Sequence, residues 1–172
     1  MNRLCPTLLI SVFLLPFAPI NALANADLFS KLEGSFRGSG MSVTDVSGKK
    51  RRVSCQLSNK YDKGAKKLKM KGKCASSQGA AIVKGTISHN NGKISGSYIG
   101  LRSRAQMIKS SGKSGRKSVV IYSSFRDRKD DKIYKIKQVL QLNGAGFQAN
   151  FFTFDNSGKK YKSAGVISFK RK

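Results

Sequence analysis

The feature that most constrains the fold is a stretch in which apolar and polar residues alternate, turn, and alternate again. On both sides of a turn-forming Asp-Lys-Gly-Ala segment, apolar residues and a cysteine recur at every second position, the period of a β-strand with one buried face. If Tyr61 faces Leu68 across the turn, the same antiparallel register places Cys55 opposite Cys74. The sequence therefore predicts a β-hairpin with both cysteines on its buried face.

A disulfide between Cys55 and Cys74 would restrict the unfolded chain and so stabilise the fold by about 3 kcal/mol. Two buried free thiols are the alternative. A zinc site is disfavoured, because two cysteines and a single distant histidine do not make a set of zinc ligands.

The opposite face of the returning strand carries a lysine at every second position. Lysines with this spacing lie about 7 Å apart, close to the phosphate spacing along an extended polyanion. These candidate anion-binding residues, called here the lysine ladder, are Lys67, Lys69, Lys71 and Lys73.

Residues 1–26 have the layout of a Sec signal peptide. A basic start at Arg3 precedes an apolar run at 8–20, and small residues follow up to Ala26. A retained membrane anchor is the alternative, but the apolar run is short for a span and two prolines interrupt it. We therefore predict cleavage, a single domain at 27–172, and a periplasmic or secreted protein with no transmembrane segment in the mature chain. Such a compartment would preserve a disulfide.

The chain carries a formal charge of +26 over 172 residues. Removal of Arg3 with the signal peptide would leave 26 − 1, or +25. A charge of this size attracts polyanions. Lysines outnumber arginines, which favours contacts by hydrated point charges over bidentate recognition. A solvated basic surface without a partner is the alternative interpretation.

The rest of the chain continues the strand pattern after one short helical turn predicted at 27–33, before Gly34. Asn91-Gly92 suits a two-residue hairpin turn and would set Ile87 opposite Gly96. Four later strands are predicted at Ser118–Phe125, Lys132–Leu142, Gly146–Asp155 and Lys160–Phe169. The predicted fold class is all-β, an antiparallel up-and-down barrel or strongly curved sheet of about 8–10 strands.

Residues 102–117 depart from this pattern, because basic residues are mixed with serine and glycine without an apolar period. We predict a mobile basic loop that either contacts a polyanion or is a plain surface loop. Its candidate anion-binding residues are Arg102, Arg104, Lys109, Lys113, Arg116 and Lys117.

The inventory of catalytic groups is thin. The only histidine, His89, stands beside the Asn91-Gly92 turn and is interpreted as a solvated turn residue, which leaves no catalytic triad. Glu33 is the only glutamate, and the aspartates at 127–131 stand among basic residues in a self-neutralising turn. Paired carboxylates and calcium ligands are therefore not expected. We predict no enzyme, no metal and no cofactor.

The segment Gly34-Ser35-Phe36-Arg37-Gly38 resembles the first-strand G-x-W-x-G signature of calycin-like barrels of the lipocalin and nitrobindin type. Phe36 stands where that signature has tryptophan. The resemblance implies an up-and-down barrel over residues 33–170 with an apolar cavity for a small molecule, and it transfers no binding residue.

Three functions follow as hypotheses. The first is a basic binding protein of the bacterial envelope that contacts an anionic polymer or an anionic membrane surface; nucleic acid is a less favoured partner, because no RNA-binding signature is present. The second is a carrier of an apolar ligand inside the barrel. Its predicted lining is Phe36, Tyr98, Phe147 and Phe151.

The third hypothesis is a secreted effector or inhibitor that binds a host or envelope protein. Residues 147–154 put large rings on both faces of one strand, so that strand is either covered on both sides or lines a pocket or interface. Core packing is the default interpretation. An exposed aromatic patch around Phe152 and Phe154, rimmed by lysines, would favour the third hypothesis.

Overall fold

The computed structural model describes residues 28–43, 49–97, 105–128 and 130–172. Within them, ten antiparallel strands form one closed barrel in which each strand pairs with its neighbours in the chain, and β1 pairs with β10 to close the ring. The strands are β1 Gly34–Val43, β2 Lys50–Asp62, β3 Lys67–Ser76, β4 Gly79–Asn90, β5 Lys93–Ser97, β6 Ala105–Ser114, β7 Ser118–Asp127, β8 Ile133–Asn143, β9 Gly146–Asp155 and β10 Lys160–Arg171. The predicted all-β barrel is confirmed.

Several predictions fall outside the described residues. These are the signal peptide at 1–26, the lining residue Tyr98, and the basic residues Arg102 and Arg104. Among the residues that are described, no helix combines the length and the apolar character needed to cross a membrane.

The cysteine hairpin forms in the predicted register. Tyr61 lies opposite Leu68, and Cys55 lies opposite Cys74. The two cysteines are joined by a disulfide. Because side chains alternate between the faces of a strand, this pairing fixes which face of β3 is outside the barrel.

The second predicted hairpin is also confirmed. Asn91 and Gly92 both have positive φ, 46° and 77°, as a type I′ turn requires. Ile87 lies opposite Gly96, whose φ is 101°. A side chain at Gly96 would overlap the Thr86 carbonyl, so glycine is needed for the strands to approach here.

One end of the barrel is closed by the helical turn at 28–31, with Leu28, Phe29 and Leu32 fully buried. The Asn59 side-chain amide donates a hydrogen bond to the Leu32 carbonyl at 2.9 Å. The Arg171 guanidinium donates a hydrogen bond to the Lys31 carbonyl at 3.0 Å. The chain therefore ties its first turn to β2 and to the end of β10.

Phe36, in the glycine-rich start of β1, is a fully buried core residue. Its ring meets the Phe147 ring edge-on at 5.0 Å, and the Arg171 guanidinium lies 5.1 Å from its centre. A side chain at Gly38 would overlap the Phe169 ring. The glycine thus makes room for a large side chain inside the barrel.

The predicted mobile basic loop at 102–117 is wrong over most of its length, because β6 occupies 105–114. The inward positions of β6, Ser110, Gly112 and Ser114, are half-buried and small. The strand therefore has a period of two in burial but none in hydrophobicity. A side chain at Gly112 would overlap the Val120 carbonyl of β7, so this inward position cannot hold an apolar side chain.

Candidate anion-binding face

The lysine ladder lies on the outer face of β3. All four of its lysines are exposed, whereas Leu68 is fully buried and Met70 is 4% exposed on the inner face. The disulfide and these buried residues hold the strand in one orientation. The ladder is therefore a row of exposed lysine side chains whose backbone positions are fixed by the strand.

Neighbouring strands add positive charge to this row. Lys60 of β2 lies directly opposite Lys69, and Lys84 of β4 lies directly opposite Lys71. All of these side chains lack an ion pair within the described part of the chain. Like charges placed directly opposite one another destabilise a sheet, so a bound anion would relieve a repulsion that the free protein carries.

Within the described residues, one acidic residue faces the ladder, and its carboxylate is engaged in the turn. Asp62 lies opposite Lys67, but its carboxylate accepts a hydrogen bond from the Ala65 backbone N–H at 2.9 Å. It helps to form the turn between β2 and β3 and makes no ion pair with Lys67. The ladder therefore keeps its charge.

A cleft of about 470 Å³ opens beside the middle of the ladder. Its lining brings Lys71, Lys84 and Lys172 together with the Ser35 and Ser58 side chains. The Lys172 backbone N–H donates a hydrogen bond to the Ser35 carbonyl at 2.9 Å, which holds Lys172 at this place. Ammonium and hydroxyl groups are the donors that phosphate, sulfate and carboxylate accept from, so the cleft suits an anionic group.

The described basic residues of segment 102–117, which was predicted as a loop, lie on a different part of the barrel from the ladder. Lys109 and Lys113 belong to β6, with Arg116 and Lys117 in its connection to β7. Two strands, β4 and β5, separate β6 from β3. The structure thus leaves these residues apart from the ladder, and Lys113 lies opposite Lys93 of β5.

The described residues of the predicted apolar lining, Phe36, Phe147 and Phe151, face the inside of the barrel. Phe147 stacks on Phe169 at 4.6 Å and is 1% exposed, while Phe151 packs partly buried against the same core. Together with Phe36 these rings form part of one continuous core with the helical turn. Their contacts are those of packed core residues.

The interpretation of His89 as a solvated turn residue is wrong. His89 is 7% exposed, its ring stacks on Phe29 at 4.4 Å, and its Nε2 lies 2.6 Å from the Tyr61 hydroxyl. Burial, and next the charge of Lys66, lower the pKa of His89, and burial and then Asp62 raise the pKa of Tyr61. The alternation Val83, Gly85, Ile87 continues inward to position 89, and this signal was available in the sequence.

His89 also borders a second cleft, of about 410 Å³, which Lys66 and Lys93 line as well.

Within the described residues, no three histidine, cysteine, aspartate or glutamate side chains come close enough to hold a metal ion. Two aspartates of the 127–131 turn are paired with basic residues, as predicted: an Asp131 oxygen lies 3.5 Å from an Arg126 nitrogen, and an Asp130 oxygen lies 3.8 Å from the Lys132 ammonium.

Comparison with known proteins adds a likeness of fold. No protein-family model and no curated protein matches the chain. Among solved structures, the S-type phycobiliprotein lyase CPES from Guillardia theta matches with a TM-score of 0.59 and 10% sequence identity. The match covers 90% of this chain and 98% of that chain. At this level of identity, the chain shares an antiparallel β-barrel fold with that lyase.

Proposed function

We propose that the protein is an exported, non-enzymatic binding protein of the bacterial envelope, periplasmic or secreted, whose outer face of β2, β3 and β4 binds an anionic polymer. In this proposal the barrel is of calycin-like type and serves as a scaffold. The observation that carries the proposal is the direct opposition of lysines across three strands, Lys60 with Lys69 and Lys71 with Lys84, which make no ion pair with any described residue.

Each step of the proposal has a physical basis. Unpaired lysines on a rigid strand lose little conformational freedom in the backbone when a polymer binds. Their spacing allows successive charges of an extended polyanion to be met in turn. The cleft beside Lys71, Lys84 and Lys172 gives one anionic group a place among several donors, which would fix the polymer's position along the ladder.

The test is binding to immobilised heparin, lipopolysaccharide and DNA across a salt series. The test variant changes Lys67, Lys69, Lys71 and Lys73 to Gln. Its matched control changes Lys109, Lys113, Arg116 and Lys117 to Gln, which removes the same charge from β6 and its connection to β7. We expect the ladder variant to lose most of its affinity and the control to lose much less.

Equal losses in the two variants would show that net charge alone is responsible and would overturn the assignment of the site. Binding that is unchanged by salt would overturn the electrostatic mechanism.

A second candidate, carriage of an apolar ligand inside the barrel, is favoured by the likeness to a barrel named as a phycobiliprotein lyase. The packed rings of Phe36 and Phe147 weigh against it. Saturable binding of an apolar fluorescent probe that is lost on Phe147→Asp, in a variant that still folds, would favour carriage over the basic face.

A further inference from the structure

A group of aromatic side chains lies on the outer surface of the barrel, away from the lysine ladder. Tyr122 of β7 and Phe152 and Phe154 of β9 point outward, since they alternate with the fully buried Ile121 and Ala149 of the same strands. Tyr161 of β10 lies on the same surface, because its ring contacts those of Tyr122 and Phe154. This group, with Lys135 and Lys137 of β8, is called here the aromatic patch. Its members are Tyr122, Lys135, Lys137, Phe152, Phe154 and Tyr161.

The rings contact one another across the strands. Tyr161 lies 5.2 Å from Phe154 and 5.8 Å from Tyr122 between ring centres. Tyr122 is 42% exposed, and the other three rings are half-buried on the outer surface. Outward rings in contact form a continuous apolar surface on a strand face that would otherwise be polar.

Two lysines lie within this surface. The Lys137 ammonium is 5.2 Å from the centre of Phe152 and 5.8 Å from that of Tyr122, and the Lys135 ammonium is 5.1 Å from that of Phe154. These are cation–π distances. Neither lysine has an ion pair within the described residues, so two uncompensated positive charges lie among the rings.

The aromatic patch and the lysine ladder lie on opposite sides of the barrel. From β3 the order of strands is β2, β1, β10, β9 and then β8, which is half of the ring of ten. A partner on one surface therefore leaves the other surface free.

We propose that the aromatic patch docks the protein on an anionic lipid bilayer, with the lysine ladder directed away from the membrane. The phenol rings of the tyrosines, which have a polar tip, suit the membrane interface, and the phenyl rings add apolar surface beside them. Lysine side chains lie along apolar surface with the ammonium at the level of the lipid phosphates. This docking is independent of polyanion binding by the ladder.

Two other partners fit the patch less well. A single-stranded nucleic acid needs free ring faces for its bases, but Lys135 and Lys137 lie over the Phe154 and Phe152 rings. A protein partner would be favoured by lysines at the rim of the patch, but Lys135 and Lys137 lie over the rings themselves, and lysine is depleted in the centres of protein interfaces. A bilayer needs no free ring face, and its soft surface conforms to the convex outside of a barrel.

The test uses vesicles of phosphatidylcholine alone and vesicles that also contain phosphatidylglycerol. We expect binding to the anionic vesicles and little binding to the neutral ones. Changing Lys135 and Lys137 to Gln should weaken binding roughly thirtyfold, from about 1 kcal/mol for each lysine near the surface. The matched control, Lys93 and Lys113 to Gln, removes the same charge from β5 and β6, outside both the ladder and the patch, and should change binding by less than about threefold through long-range charge alone.

The depth of the patch in the bilayer can be measured directly, because the chain has no tryptophan. Phe152→Trp should shift its fluorescence to shorter wavelength on anionic vesicles, whereas Trp at the exposed Ile82 of β4 should not. Circular dichroism would confirm that each variant folds.

The proposal would be overturned if the protein did not bind anionic vesicles. It would also be overturned if the two lysine-pair variants lost equal vesicle affinity, or if the fluorescence of the two introduced tryptophans shifted equally. Protection of the patch by single-stranded DNA or by a copurified protein, but not by vesicles, would overturn it in favour of that partner. Loss of heparin binding in the ladder variant with vesicle binding intact would separate the two surfaces.

Discussion

Acid should destabilise the protein through one buried side chain, His89. Its ring is stacked on Phe29 and its Nε2 lies 2.6 Å from the Tyr61 hydroxyl. Burial first, and the charge of Lys66 second, lower its pKa from the ordinary value of 6.5. The unfolded chain therefore takes up a proton near pH 6.5, whereas the folded protein resists it until lower pH.

The direction of the pH dependence follows from this difference in pKa. The free energy of unfolding keeps the full His89 contribution above pH 6.5 and decreases as the pH falls toward the lower pKa of the folded state, because unfolding binds the proton. One proton gives a slope of at most about 1.4 kcal/mol per pH unit. Between pH 7.5 and 5.5 the free energy of unfolding should decrease by up to about 1.4 kcal/mol, since only half of this range lies below 6.5.

Urea denaturation at several pH values measures this change. His89 is the only histidine in the chain, so His89→Gln should be less stable overall but should show a nearly flat dependence over the same range. Carboxylates such as Asp155, whose pKa is lowered mainly by Lys162 and then Ser157, titrate at much lower pH. The reasoning would be refuted if the free energy of unfolding of the wild type did not change with pH, or if that of His89→Gln changed with pH as much as that of the wild type.

Three further changes test the fold. Replacing Cys55 and Cys74 by Ser should lower the free energy of unfolding by about 3 kcal/mol, measured by urea denaturation; reductant should then have no further effect on the variant. Gly96→Ala should cost about 2 kcal/mol or more, because φ is 101° and the Thr86 carbonyl is too close, whereas Gly64→Ala should change stability little; equal effects in thermal melts would contradict this. Phe36→Ala should cost about 3–5 kcal/mol, and a loss below about 1 kcal/mol would show that the ring is not part of a packed core.

Local pattern explains why both hairpins could be predicted from the sequence. A turn and a period of two fix the register of adjacent strands, so Cys55 with Cys74 and Ile87 with Gly96 follow from residues close in the chain. Closure of the barrel could not be derived in this way. Closure depends on the pairing of β1 with β10, two strands that lie far apart in the sequence. Gly38 lies opposite Phe169 in this pairing.

The errors have identifiable physical causes. β6 was missed because its inward residues, Ser110 among them, are small and polar, so the strand has no hydrophobic period. The prediction of a solvated His89 rests on its position near a turn. The alternation of β4 places it on the same buried face as Ile87, two residues earlier. The lysine ladder was visible, but its opposition to Lys60 and Lys84 depends on which strands become neighbours.

The central claim, that the lysine ladder is a polyanion site, is tested most directly by the salt dependence of binding to a short DNA duplex of defined length. The duplex serves as a polyanion whose counterion release is calibrated, with a slope of about −0.9 in log K against log salt for each phosphate contacted. Changing Lys67, Lys69, Lys71 and Lys73 to Gln should make this slope shallower by about 3 to 4. A slope equal to that of wild type would contradict the account.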